Sequence, residues 1–164
     1  MCRHCQPLSR RQILAMLAAA PALSACKAEA KGPEEIRWGR EACEICGMII
    51  SDPHFAAEVR GGPEKRLAKF DDIGDAVYWL EAQEWKAAPE VEFWVRDGET
   101  GESWHDARQM RYRPGALSPM DYGFLAVQRP ASDTVDFAAM RTAVLARGLT
   151  WRCLPDGEMG GHKE

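Results

Sequence analysis

The sequence predicts an α+β fold made of two tandem small ββαβ units, set behind a signal peptide and a short tether. Three observations predict it. The order strand, strand, helix, strand can be read twice between residues 42 and 154. Both helical stretches open on acidic or hydroxyl caps, and the first carries its apolar residues on one face. The strand candidates are short, rich in β-branched and aromatic residues, and bounded by glycine-containing turns.

The first 25 residues are an address rather than part of the fold. Arg3, Arg10 and Arg11 are the charged residues before Cys26, and all are basic. "ILAMLAAAPAL" (13–23) has the length of a signal-peptide core and is too short to span a bilayer as a helix. It ends in "LSAC", which reads as a bacterial lipobox with Cys26 as the lipidated residue and mature N-terminus. "SRRQIL" (9–14) is similar to a twin-arginine signal with Ile13 in place of the usual Phe. A plain basic leader accounts for it too, so export by the Sec or the twin-arginine route stays open. The expected location is the periplasmic side of a bacterial membrane, held by acyl chains on Cys26. "KAEAKGPEEIRWGRE" (27–41) is charged and poor in apolar residues, which predicts that 26–41 is a lipidated tether.

The first unit is expected over 42–101. "HFAAEVR" (54–60) has strand character, "GGPE" (61–64) is a turn, and "KRLAKF" (65–70) is a second strand. "DDIGDAVYWLEAQEW" (71–85) is the clearest helix. Asp72 can cap it, Asp75 favours the positive end of the dipole, and Ile73, Ala76, Val77 and Leu80 share a face. "VEFWVRDGETG" (91–101) returns as a strand that runs into a Gly-rich turn.

The second unit is expected over 102–154. "SWHDA" (103–107) and "YGFLAVQ" (122–128) supply strands. "SDTVDFAAMRTAVLARG" (132–148) supplies a helix with Ser132 or Asp133 as cap and Gly148 as stop. "LTWRCL" (149–154) supplies the closing strand, and 155–164 is a Gly-rich polar tail expected to be flexible. About 120 residues after the tether suffice for one modest domain or two very small ones.

Composition narrows the function. Of 21 basic residues, 21 − 3 = 18 remain after Cys26, against 25 acidic ones, a net charge of −7. That balance argues against a nucleic-acid-binding face. No nucleophile–base triad or phosphate loop is evident, and "GGPEKR" (61–66) lacks the spacing for one.

The chemistry lies in sulfur. After Cys26 the cysteines are Cys43, Cys46 and Cys153. "CEICGMII" (43–50) admits several readings. Structural zinc usually takes four protein ligands, often two such pairs, and only one C-x-x-C is present. A thioredoxin-like dithiol should open a helix, whereas Ile49, Ile50 and Pro53 suit a strand or loop. A disulfide between Cys43 or Cys46 and Cys153 suits an oxidising compartment. The fourth reading is a soft-metal site. Met48 follows Gly47, and Met120 sits in "LSPMDYG" (117–123), a turn-like context that displays a side chain. Thioethers and thiolates select copper(I), and a thioether cannot be lost to a disulfide. Against this stands ordinary packing, which is the expected role of Met110 and Met140. His54 and His105 near strand ends read as hydrogen-bonded residues, and Trp79, Trp85, Trp94 and Trp104 as core. Met159 and His162 lie in the tail.

In order along the chain, "LSAC", "CEICGMII" with "FAAEV", "FDDIGDAVYWL", "FWVRDGETGESWHDA" and "SPMDYGFLAV" resemble NosL, the copper-binding lipoprotein family accessory to nitrous oxide reductase. The resemblance covers nearly the whole chain after Cys26. It implies two ββαβ units and a periplasmic lipoprotein that is a copper(I) metallochaperone, not an enzyme. It implies delivery of copper for maturation of nitrous oxide reductase, with a membrane ABC transporter and its periplasmic partner protein. By motif, Cys46 and Met48 occupy the C-G-M positions and Met120 the P-M position, so these three are the expected ligands. Cys43 and His105 stand outside that set. The alternative function is a periplasmic thiol–disulfide oxidoreductase that uses Cys43 and Cys46.

Overall fold

The computed structural model describes residues 30–149, and the fold is that of the compact unit that begins at Lys31. The architecture is α+β. Strands β1 (Ala57–Gly61) and β2 (Arg66–Phe70) form a hairpin, followed by helix α1 (Ile73–Glu81) and strand β3 (Glu92–Arg96). Strand β4 (Trp104–Asp106), a 3-10 turn (Ala107–Gln109), strands β5 (Arg111–Pro114) and β6 (Phe124–Val127) and helix α2 (Phe137–Arg147) complete the described chain. The strands make a four-stranded antiparallel sheet in the order β2-β1-β3-β4 and a separate antiparallel pair, β5-β6.

Register assigns the two faces of the larger sheet. Ala57 lies opposite Phe70 and Val95, and Val59 opposite Ala68 and Phe93, so these apolar residues share the inner face. Helix α1 packs on β1 and β2 with Ile73, Ala76, Val77 and Leu80 buried. Helix α2 packs against α1, and its Phe137 ring meets Phe93 edge-on at 5.6 Å between centroids.

The outer face carries Glu58, Arg60, Lys69, Glu92, Arg96 and Trp104, and residues 32–41 lie across it. The extended, charged composition of that segment predicts a free tether. Instead Ile36 is buried in the core, and the acidic residues around it dock on basic partners in the sheet. Glu34 pairs with Arg60 at 3.0 Å, Glu35 with Arg96 at 3.0 Å and Glu41 with Lys69 at 3.0 Å. The Arg96 guanidinium sits between the rings of Trp38 and Trp104, 5.2 and 4.8 Å from their centroids.

Three second-half elements differ from expectation. The short strand expected over 103–107 forms at Trp104–Asp106, but it hydrogen-bonds to β3 as an edge of the larger sheet. The partner of β6 is instead Arg111–Pro114, whose "RYRP" hides its alternation behind two arginines and a terminal proline. Tyr112 points inward and donates its hydroxyl to the Ala107 carbonyl at 2.7 Å. The cap of α2 is Asp136, which accepts from Ala139 N–H at 2.8 Å, rather than Ser132 or Asp133. Val135 exchanges backbone hydrogen bonds with Tyr112, which keeps 135 extended and delays the helix. Gly148 ends the helix as expected. Cys26, Cys153, the closing strand from residue 150, and the tail with Met159 and His162 lie outside the described residues. No described helix is long and apolar enough to cross a membrane.

Candidate metal centre

Three segments distant in sequence meet at the first turn of α1. The helix starts there because Asp72 is extended and its Oδ1 accepts from Gly74 N–H at 2.9 Å. Exposed N–H groups and the aligned peptide dipoles make such a terminus favourable for carboxylates. Here it gathers three: Asp71, Asp72 and Asp75 are all buried.

The first segment to meet them is the C-x-x-C turn. Cys43 N–H donates to the Met48 carbonyl at 2.8 Å, Gly47 N–H donates to the Cys43 carbonyl at 3.0 Å, and Ala42 bridges Ile49. The turn closes through Gly47, whose φ of +71° is a left-handed conformation that glycine adopts without strain. It directs both thiols at the helix start. The Cys43 thiol donates to Asp75 Oδ2 at 3.2 Å, and the Cys46 thiol donates to Asp71 Oδ1 at 3.7 Å. One donor atom from each of Cys43, Cys46, Asp71 and Asp75 can be chosen so that all four lie within 4.8 Å of one another. Both cysteines are free thiols, Cys43 buried and Cys46 half-buried.

The second segment is the loop that carries Met120. Asp72 Oδ2 accepts from Ser118 Oγ at 2.5 Å and from Met120 N–H at 3.1 Å. Tyr122 lies over Gly74 so closely that a Cβ there would stand 2.0 Å from the ring. Glycine at 74 therefore lets the loop lie directly on the helix. Burial raises the Asp72 carboxyl above the usual range, opposed by its hydrogen bonds from Ser118, Gly74 and Met120 and reinforced by the neighbouring charge of Asp71.

Electrostatics separate this corner from a nucleophilic thiol site. The Cys43 thiol is pushed up, first by its hydrogen bond with Cys46, then by burial and by the negative charge of Asp71 and Asp75. A reactive thiol needs the opposite surroundings: exposure and nearby positive charge.

The expected ligands are placed as follows. Cys46 is in the four-donor cluster. Met48 shares its turn and is exposed, at 40% of its free area. Met120 sits on the loop anchored beside the cluster, yet its side chain is fully buried rather than displayed. Met110 and Met140 are buried packing residues. His105 lies on β4 with Nε2 3.9 Å from Asp97, and His54 Nδ1 sits 2.8 Å from the Gly98 carbonyl oxygen. Sequence reasoning left Cys43 outside the set and did not consider Asp71 or Asp75 as donors. The available signal was "DDIGD": three acidic residues crowd a helix start where a single Asp cap would serve.

No protein-family model and no curated protein matches the chain. Among solved structures, the copper chaperone NosL from Shewanella denitrificans is similar, with 15% identity, a TM-score of 0.48, and coverage of 72% of this chain and 89% of that one.

Proposed function

We propose that this chain is a copper(I)-handling metallochaperone of the NosL type, anchored by lipid on Cys26 at the periplasmic side of a bacterial membrane. The observation that carries the reading is the convergence on one helix start of the C-x-x-C-G-M turn, two buried carboxylates and the Met120 loop. The ordered sequence motifs support the finer proposal: delivery of copper for maturation of nitrous oxide reductase, with an ABC transporter and its periplasmic partner protein.

Copper(I) is cargo here, and the chain's own atoms suit loading and release. Cys46 is half-buried and Met48 is exposed on the same turn, so soft sulfur is reachable from solvent. Cys43 and the aspartates lie beneath, where they hold the turn against the helix. Met120 is the expected second thioether, and the Asp72 anchor fixes its backbone beside the cluster. The alternative of thiol–disulfide exchange is disfavoured by the burial and upward-shifted pKa of Cys43.

The test is titration of the reduced protein with copper(I) against a chromogenic chelator. Tight binding by the wild type, weakened in Cys46→Ser and in Met48→Leu with Met120→Leu, is the expected result. Copper(I) binding that survives all three substitutions unchanged would overturn the ligand assignment. Absence of binding would overturn the function. The pathway is tested separately, by whether a strain lacking this gene makes nitrous oxide reductase without its copper.

A further inference from the structure

The charged segment at 32–41 decides which end of the molecule its anchor reaches. A free tether would leave the folded body at Ala42, which bridges Ile49 across the C-x-x-C turn. The body would then hang from its sulfur-bearing corner. Docking moves the point of departure. Gly32 N–H donates to Glu92 at 2.7 Å, and Arg60 donates to the Gly32 carbonyl at 3.1 Å. Glu34 N–H donates to Glu58 at 2.8 Å. Further on, the Ile50 carbonyl accepts from Gly39 N–H, and Ile50 N–H donates to the Glu41 carbonyl.

Residues 32–41 thus cross the sheet from one end to the other. Gly32 lies at the hairpin end, because its partner Arg60 is next to last in β1 and opposite Leu67. The C-x-x-C turn lies at the far end, where Glu44 N–H donates to the carbonyl of Lys69, next to last in β2. Helix α1 spans the same length in reverse. Asp72 caps it at the sulfur corner, and the chain beyond its other end lays Trp85 against Gly61 and Gly62. Five strand residues or nine helical ones set the two ends roughly 15 Å apart.

The docked segment is held by packing and by charge. Ile36 is buried, and buried Arg60 and Arg96 take carboxylate partners from Glu34 and Glu35. Chain length then sets the reach. Six residue steps separate Cys26 from Gly32, which is at most about 20 Å of extended chain. Sixteen steps separate Cys26 from Ala42, or about 55 Å.

We propose that 32–41 is a strap that sets the hairpin end of the sheet, at the turn 62–65, against the lipid surface and holds the sulfur corner away from it. The proposal rests on acylation of Cys26 in the reading above and adds which end faces the bilayer and how closely. Lys65 and Arg66 neighbour Glu64 at that turn, so the strap rather than a one-signed patch makes the placement. Exposed Met48 then opens onto the aqueous compartment instead of onto lipid headgroups.

The test uses the full acylated chain in phosphatidylcholine vesicles that carry a headgroup-linked energy acceptor. A donor dye is placed on an azide-bearing residue in place of Glu64, at the hairpin turn, or in place of Leu117. Leu117 is 92% exposed and precedes Ser118, which bonds Asp72 at the corner. Energy transfer should be at least ~3-fold stronger from position 64, given a difference of roughly 15 Å beyond a standoff of about 20 Å. Glu34→Lys with Glu35→Lys and Ile36→Asp should release the strap, read as faster hydrogen exchange over 32–41, and should equalise or reverse the two signals. A flexible Gly-Ser linker of about 10 residues inserted after Ala28 leaves the strap intact and should weaken transfer from position 64. Circular dichroism confirms that each variant is folded.

Equal transfer from the two labels in acylated wild type overturns the orientation, and so does a ratio that survives release of the strap. Hydrogen exchange unchanged in the triple variant overturns the strap contacts as its hold, and transfer unaffected by the linker overturns the standoff. Each of these leaves the proposed copper(I) function standing. A Cys26 that carries no acyl chain by mass, in protein that does not float with vesicles, overturns the anchor in that function and this orientation with it.

Discussion

Two regions of this molecule bury charge, and they do so in opposite ways. On the outer face of the sheet each buried charge meets a partner of opposite sign: Arg60 with Glu34 and Glu92, Lys69 with Glu41 and Glu58, and Arg96 with Glu35. At the start of α1 the buried carboxylates of Asp71 and Asp75 face thiols. The first arrangement sets cations beside anions supplied by the chain itself. The second places four anionic donors, once the thiols are deprotonated, around a volume the size of one cation. Buried charge alone does not mark a site; the chemistry of what it faces does.

The largest expected effect separates the two regions by what each supports. Cys46→Ser should weaken copper(I) binding by more than the ~100-fold that loss of an outer supporting group brings. The unfolding midpoint of the metal-free protein should barely move. Arg96→Ala should do the opposite. Removing the guanidinium from between Trp38 and Trp104 should cost about 2 kcal/mol in denaturant unfolding, with metal affinity retained. If both variants lost stability and affinity together, the separation would be wrong.

A pH experiment sharpens the same contrast. Glu58 is fully buried on the outer face, and its carboxyl is pushed up to about 7 from 4.5, chiefly by burial, against favourable contacts from Glu34 N–H, Lys69 and Arg60. A raised carboxyl pKa means the folded state binds a proton that the unfolded state has released. The associated stability is fully present below pH 4.5 and is lost as pH rises through about 7. Glu58→Gln removes that dependence. The variant should therefore gain on the wild type as pH rises from 5 to 8, by on the order of 3 kcal/mol at the alkaline end. Urea unfolding at several pH values reads this directly, and parallel curves for the two proteins would contradict it.

A third experiment concerns how the corner is built. Gly74→Ala forces a methyl group into the ring of Tyr122, so the 115–123 loop must shift off the helix. Overpacking of this kind should cost about 2 kcal/mol. Copper(I) binding through Met120 should weaken with that shift. Stability lost with copper(I) affinity unchanged would mean that the position of the Met120 loop does not matter to the site.

Legibility in the sequence differs between the regions for physical reasons. Helix α1 was legible because its apolar spacing and its Asp72 cap are local signals. The C-x-x-C turn was legible as chemistry because sulfur spacing survives without a fold. The docking of 32–41 was not, because Glu34 and Glu35 read as solvent-loving until Arg60 and Arg96 are known to face them across the sheet. Strand β5 was hidden by its arginines, which point outward to the Thr134 carbonyl and to Asp133. Asp71 and Asp75 were read only as residues of a helix start. Their second role depends on the turn 25 to 32 positions earlier folding back onto them, a long-range contact that no local pattern announces.

The smallest expected effect tests an ion pair that touches the corner from outside. Glu44 lies between the two cysteines, and its carboxylate takes a two-pronged contact from Arg66 at 3.0 and 2.6 Å. Both side chains are substantially exposed, so water and salt screen the pair. The turn has its own internal hydrogen bonds through Cys43, Gly47 and Met48, and Glu44 N–H also donates to the Lys69 carbonyl at 2.9 Å. Arg66→Ala should therefore cost less than about 1 kcal/mol of stability and leave metal affinity within a few-fold of wild type, at low and high salt alike. A large, salt-dependent loss of affinity would mean that the turn is held in place by surface electrostatics rather than by its backbone and its contacts with the helix start.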